Sequence, residues 1–157
     1  MTARRGAATL LAMARASISL VAALRSTAAR LAAQATYSWG HLGMCNCGHL
    51  VQTLCAIPPA RIHAVALERT GDWEQLANDY CPTSGYAIDD LIGALIDAGL
   101  TTDDIGHLEK LDDPRVLAAL PGGQRWLRRN LREDVVVYLE TWAGLLAADI
   151  AIALRAA

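Results

Sequence analysis

Apolar positions recur at three- and four-residue intervals along most of the chain, and the spacing predicts helices nearly throughout. From about residue 3 to 35, Leu10, Ala14, Ile18, Val21, Ala28 and Leu31 keep one helical face, with Thr2 placed to cap it, until Gly40 and Gly43 break the pattern. A second helix is expected from Met44 or Cys45 to Ala56. There Ile57-Pro58-Pro59 forces an extended turn and opens a third helix, running to about Glu68. Gly71-Asp72 opens a fourth through Tyr80, with Asp72 as its cap, and Cys81-Pro82-Thr83-Ser84-Gly85 ends it. Residues 87 to 98 turn Ile88, Leu91, Ile92, Leu95 and Ile96 inward before Gly99. Thr102-Asp103-Asp104 caps a short helix to Leu111, and Asp113-Pro114 starts another to Leu120. After Pro121-Gly122-Gly123 a final segment begins near Gln124, with its principal helix from Glu133 to Arg155.

The β-branched run Val135-Val136-Val137 lies inside that last helical period, so it carries no strand signal. The expected fold class is therefore all-α: a helical bundle whose two long terminal helices pack together, with several short helices between them. Its 157 residues suit one domain. Within it, residues 1–35 form an Arg/Ala-rich first helix, 36–123 the short helices, and 124–157 the C-terminal long helix. Hydrophobic residues make up 54% of the chain but aromatics only 5%, with no Phe, which fits helices packed closely through Ala and Leu. No repeat or domain-sized linker interrupts it.

Charge separates along the chain. Residues 1–67 carry six arginines and no acid, leaving all 16 acids and the other eight bases to the remainder. That asymmetry favours pairing within the molecule or between copies, and makes a homo-oligomer through the first helix the expected partnership. No basic cluster is interleaved with stacking aromatics, which argues against nucleic acid. The acid-free, Ser-containing amino terminus has the composition of an organellar transit peptide, but its period reads as a helix of the mature protein. Its uncharged runs, 6–14 and 16–24, are too short to span a bilayer, and Arg15 interrupts what a secretory signal would need, so no transmembrane segment and a cytoplasmic location are expected.

The densest chemistry lies in Tyr37-Ser38-Trp39-Gly40-His41-Leu42-Gly43-Met44-Cys45-Asn46-Cys47-Gly48-His49. Thiolates and imidazoles two to four residues apart are what a tetrahedral zinc or an iron site needs. If both Cys45 and Cys47 stood on a regular helix their side chains would diverge by about 200°, so convergence requires a non-helical Cys45. The alternative aligns Cys45 with His49 on one helical face and leaves Cys47 another role. The expected ligands are His41, Cys45, Cys47 and Cys81, with His49 as substitute; zinc is the first choice, iron or an iron-sulfur cluster the second. Asn46, Trp39 and Tyr37 would orient the ligands. The strained spacing of Cys45 and Cys47, or one of them with Cys81, also suits a reversible disulfide and hence a thiol switch. A third possibility is a structural or partner-binding bundle whose cysteines only pack.

Outside this run the signals are weaker. Cys81 precedes a loop with the form of a phosphate-cradling turn, but the Cys-x5-Arg pattern fails at Ala87. Cys55 is assigned to packing. Asp72, Gln75 and Asp79 share a helix face that could turn toward the cluster. Asp79 and Glu74 are the proton-transfer candidates, each acting singly, although the cap and helix dipole explain Asp72, Gln75 and Glu74 as well. His63 and His107 stand without nearby donors, and the four tryptophans are expected in the core or at interfaces.

The combination Tyr37-x-Trp39-Gly40-His41-x-Gly43-x-Cys45-Asn46-Cys47-Gly48 with Gly71-Asp72-Trp73 and Asp79-Tyr80-Cys81-Pro82-Thr83-Ser84-Gly85 resembles a group of small bacterial helical proteins. The resemblance runs from Tyr37 to Leu111 and again over Asp134 to Leu146, leaving out the first helix. It implies that the two motifs form one signature, and it supplies no activity.

Overall fold

The computed structural model describes residues 14–157, and among these it contains eight helices and no strand: α1 Ile18–Ala32, α2 Asn46–Cys55, α3 Pro59–Ala66, α4 Trp73–Asn78, α5 Ala87–Asp97, α6 Thr102–Lys110, α7 Pro114–Ala118 and α8 Arg132–Ala156. The all-α expectation holds. The first helix is shorter than its period suggested, because residues 14–17 are not helical and the Ser17 hydroxyl caps α1 by accepting from the Leu20 amide at 3.1 Å. Thr2, the expected cap, lies outside the described residues. Arg15 instead ties its amide to the Gly99 carbonyl at 2.8 Å, which joins the start of α1 to the turn after α5.

Local signals place the other helices to within a few residues. Asp72 caps α4 as expected, and Pro59 and Pro114 open α3 and α7. The cap of α6 is Thr101 and not Thr102: its hydroxyl accepts from the Asp104 amide while the Asp104 carboxylate takes the Thr101 amide, a reciprocal box.

α1 and α8 run antiparallel. Arg132 at the start of α8 reaches Gln34, just past the end of α1, at 2.7 Å, while Ile18 and Ala22 near the start of α1 line a groove with Ala147 and Ile150 of α8. Leu20, Leu24, Ala28 and Leu31 from one side and Val135, Tyr138, Leu139, Trp142 and Leu146 from the other are buried in the continuous core. α8 is also the one helix among the described residues long and apolar enough to cross a membrane by length and composition, although a third of that apolar window is buried in the bundle. α3, α5 and α6 pack on α2, α4 on α6 and α5, and α7 on α8. Thr27 of α1 bonds the Thr53 hydroxyl of α2 at 2.7 Å, and Arg30 donates to the His49 carbonyl and Thr53 at 2.8 Å each. Of the tryptophans expected in the core or at interfaces, Trp73 and Trp142 are in the core, whereas Trp39 and Trp126 are exposed, Trp126 at 82%.

Candidate functional site

The run from 37 to 49 is a tight loop followed by the first turn of α2, and two close backbone approaches set its shape. A Cβ on Gly43 would stand 1.9 Å from the Pro59 carbonyl oxygen, and one on Gly48 would stand 2.4 Å from the Leu42 carbonyl oxygen. Only glycine lets the loop press against the start of α3 and against α2 at these points.

Cys45 is extended, at φ −81° and ψ −178°, and forms the N-cap of α2, its sulfur accepting from the Gly48 amide at 3.5 Å. The same thiol donates to the Leu42 carbonyl at 3.6 Å, which also accepts the Trp73 indole N–H at 3.1 Å. Of the two arrangements weighed from the sequence, the non-helical Cys45 is the one adopted. Cys47 points elsewhere: it is buried, with its thiol donating to the Ile105 carbonyl of α6 at 3.7 Å. Burial pushes Cys45 up to about 11 and raises Cys47 well above its ordinary value, so both are thiols and not thiolates at neutral pH.

His41 turns Nδ1 to accept the Gly43 amide at 3.1 Å, and it stacks at 3.9 Å on His63, whose Nδ1 accepts the Leu42 amide at 3.1 Å. A neutral ring that accepts at Nδ1 carries its proton on Nε2, so both lone pairs are already committed to backbone. His63, expected to be without neighbouring donors, is therefore part of this loop's structure, and His107 likewise pairs with Asp112 at 2.7 Å. His49 is 2% exposed and donates Nε2–H to the Thr36 carbonyl at 2.9 Å, leaving a buried Nδ1 without a protein partner. A carbonyl partner on the far nitrogen is how a metal-binding imidazole is usually oriented. Burial lowers the pKa of His49, which keeps the ring neutral.

Asn46 donates through Nδ2 to the Leu108 and Glu109 carbonyls at 2.7 and 2.8 Å, tying α2 to the last turn of α6. Tyr37 stacks on His49 at 6.2 Å and donates its hydroxyl to the Arg129 carbonyl. Trp39 faces outward beneath the Arg129 guanidinium, 4.2 Å from its ring centre, and not over the cysteines.

The second motif divides. Trp73 reaches the loop through Leu42, but Asp72, Gln75 and Asp79 lie on an exposed face, so the expected turn of that face toward the cluster does not occur. Asp72 caps the Gln75 amide at 3.0 Å, and the Gln75 amide group binds Asp79 at 3.0 Å instead of closing a capping box. Glu74 is paired with Lys110 at 2.7 Å. Neither proton-transfer candidate faces the cysteines. Cys81 sits in the surface loop, its thiol 3.6 Å from the Thr83 hydroxyl, and contacts with Thr83 lower its pKa. Cys55 packs at the core margin, as assigned from the sequence.

Glu109 was missed from the sequence. Its carboxylate accepts the Trp73 and Glu74 amides at 3.2 and 2.8 Å, capping α4 from α6, with burial raising its pKa. The available signal was an acid within the apolar period of Ile105 and Leu108. Asp72, Glu74 and Glu109 form the only set among the described residues in which three His, Cys or acidic ligand atoms fall within 4.8 Å of one another. Each already serves a helix cap or an ion pair. His41, Cys45, Cys47, Cys81 and His49 form no such set.

Fold and site together define an all-α bundle organised around a polar joint. No protein-family model matches the chain, and no curated protein or solved structure matches it either.

Proposed function

We propose that this protein is a non-catalytic, partner-binding helical bundle in which residues 37–49 act as the joint that fixes α2, α3, α4 and α6. The observation that carries this reading is where the donors go. His41, Cys45, Asn46 and Cys47 each direct a side-chain polar atom at backbone of the loop or of a neighbouring helix. Zinc or iron ligation by His41, Cys45, Cys47 and Cys81 is less well supported. It would require the Cys45 and Cys47 thiols to leave their carbonyls, His41 to release the Gly43 amide, and Cys81 to come in from its surface loop. A disulfide switch through Cys45 and Cys47 faces a related obstacle, since both thiols are buried and protonated. Cys81 alone has its pKa lowered, by its contacts with Thr83, and no second thiol shares its loop.

The double variant Cys45→Ser/Cys47→Ser tests the reading. The expected result is a folded protein of lower stability whose zinc and iron content matches the parent's. A stoichiometric metal in the parent that is absent from the variant would sink it.

A further inference from the structure

If the bundle binds a partner, its free surface should say which kind, and the α1–α8 end is one surface that the described residues leave uncovered. The core closes at Leu146 on α8. Ala147 and Ile150 still pack against it, while residues 152 to 157 are exposed. Those last turns carry Ile152 at 63% and Leu154 at 73% exposure, and Ile18 at the facing start of α1 is 78% exposed. Beside them a groove of about 370 Å³ runs between the helices, lined by Ile18, Val21, Ala22, Arg25, Ala147 and Ile150. Singly exposed apolar side chains are ordinary, but Ile18 is itself part of this groove, and Ile152 and Leu154 follow in the two turns beyond Ile150.

The exposed charges left unpaired around this end are mainly arginines. Arg25 and Arg155 form no ion pair or hydrogen bond among the described residues, and the Arg15 guanidinium is held only by the Asp97 carbonyl at 3.4 Å. The nearby acids are Asp97, the buried Asp104, which faces the Ala14 backbone, and Asp149, which is paired with Arg115 at 3.8 Å. Residues 1–13, outside the described part, add Arg4 and Arg5 to the sequence and no acid.

We propose that the α1–α8 end docks on an anionic lipid surface, with Ile18, Ile152 and Leu154 entering the headgroup and acyl boundary and Arg15, Arg25 and Arg155 meeting lipid phosphates. An apolar tip with a basic margin is what interfacial binding requires: apolar burial supplies depth and arginines supply attraction to anionic headgroups. A second copy is the poorer occupant, because a two-fold contact through this end would bring two sets of unpaired arginines together. One face of the rest of α8 is engaged in the core with α1, so the surface offered is an end and not a span.

This inference rests on the partner-binding reading, and its test separates the two. The full chain is mixed with vesicles of phosphatidylglycerol and phosphatidylcholine, or of phosphatidylcholine alone, and bound protein is measured by flotation beside the sedimentation velocity of the free protein. The expected result is preferential binding to the anionic vesicles that weakens as salt rises. Ile152→Asp/Leu154→Asp should lower partitioning by about tenfold or more with helical circular dichroism unchanged, and Arg25→Glu should lower it several-fold. Equal binding to both vesicle types, or binding indifferent to residues 152 and 154, overturns the proposal. Dimerisation abolished by Ile152→Asp/Leu154→Asp, without lipid binding, also overturns it in favour of a second copy. That outcome leaves the partner-binding reading standing, whereas loss of bound metal in Cys45→Ser/Cys47→Ser removes that reading whatever the vesicles do.

Discussion

The loop at 37–49 and the end of the α1–α8 pair are opposites. The loop holds four of the six Cys and His residues of the first half of the chain, yet its thiols, the His41 ring and the Asn46 amide nitrogen are spent on backbone of the loop and of neighbouring helices, with His49 Nδ1 and Asn46 Oδ1 left buried without a protein partner. The α1–α8 end exposes Ile18, Ile152 and Leu154 beside unpaired arginines, and little among the described residues covers them. The contrast teaches that donor density marks where chemistry could occur, whereas unspent valence and uncovered surface mark where an interaction remains available.

The sharpest way to break the comparison is to break the joint. Gly43→Ala forces a methyl group to 1.9 Å from the Pro59 carbonyl and should cost about 3 kcal/mol or more in urea unfolding. A stability unchanged by this substitution would mean that the loop is looser than described.

Next in size is an alkaline effect. Cys45 titrates near 9.0 when unfolded and at about 11 when folded, so the folded state holds its proton more tightly. The stability this confers is complete below pH 9 and is lost as pH rises from 9 to 11, about 3 kcal/mol in all at 1.36 kcal/mol per pH unit. Cys47, also raised, acts in the same direction. Urea midpoints measured across this range should fall less steeply in Cys45→Ser than in the parent.

A smaller difference separates the two conservative replacements of the cap. Cys45→Ala should lose about 1 kcal/mol while Cys45→Ser stays nearer the parent, because a hydroxyl can take the Gly48 amide in place of sulfur. At the other region the expected stability change is smallest: Ile152→Asp/Leu154→Asp should alter unfolding by no more than about 0.5 kcal/mol, since neither side chain is in the core. A large loss there would show that the end is structural after all.

Much of the fold was legible because its signals are local. Helical period, the Asp72 cap and the prolines at 59 and 114 fix α3, α4 and α7, and neighbouring helices follow from the same spacing. The start of α1 was not, because Leu10, Ala14 and Ile18 keep the period running through residues 14–17, where the backbone is drawn away to Gly99. The site was legible as a place and not as an arrangement. His41 and His63 lie 22 positions apart, and they stack only because Gly43 admits Pro59. Asn46 meets the end of α6, and Glu109 meets the start of α4, through contacts that no local spacing encodes. Cys45 and Cys47 were expected to converge through a non-helical Cys45; that backbone is present, but the two thiols face different carbonyls, and which one each faces depended on tertiary approach.

The measurement that bears most directly on the joint is the reactivity of the four thiols in the native protein, with and without a strong chelator. Cys81 should react readily, while Cys45 and Cys47 stay shielded to the same extent in both conditions and open only on unfolding. Cys45 and Cys47 becoming reactive on chelation, with the fold intact and zinc or iron released, would contradict the account and restore the loop as a metal centre.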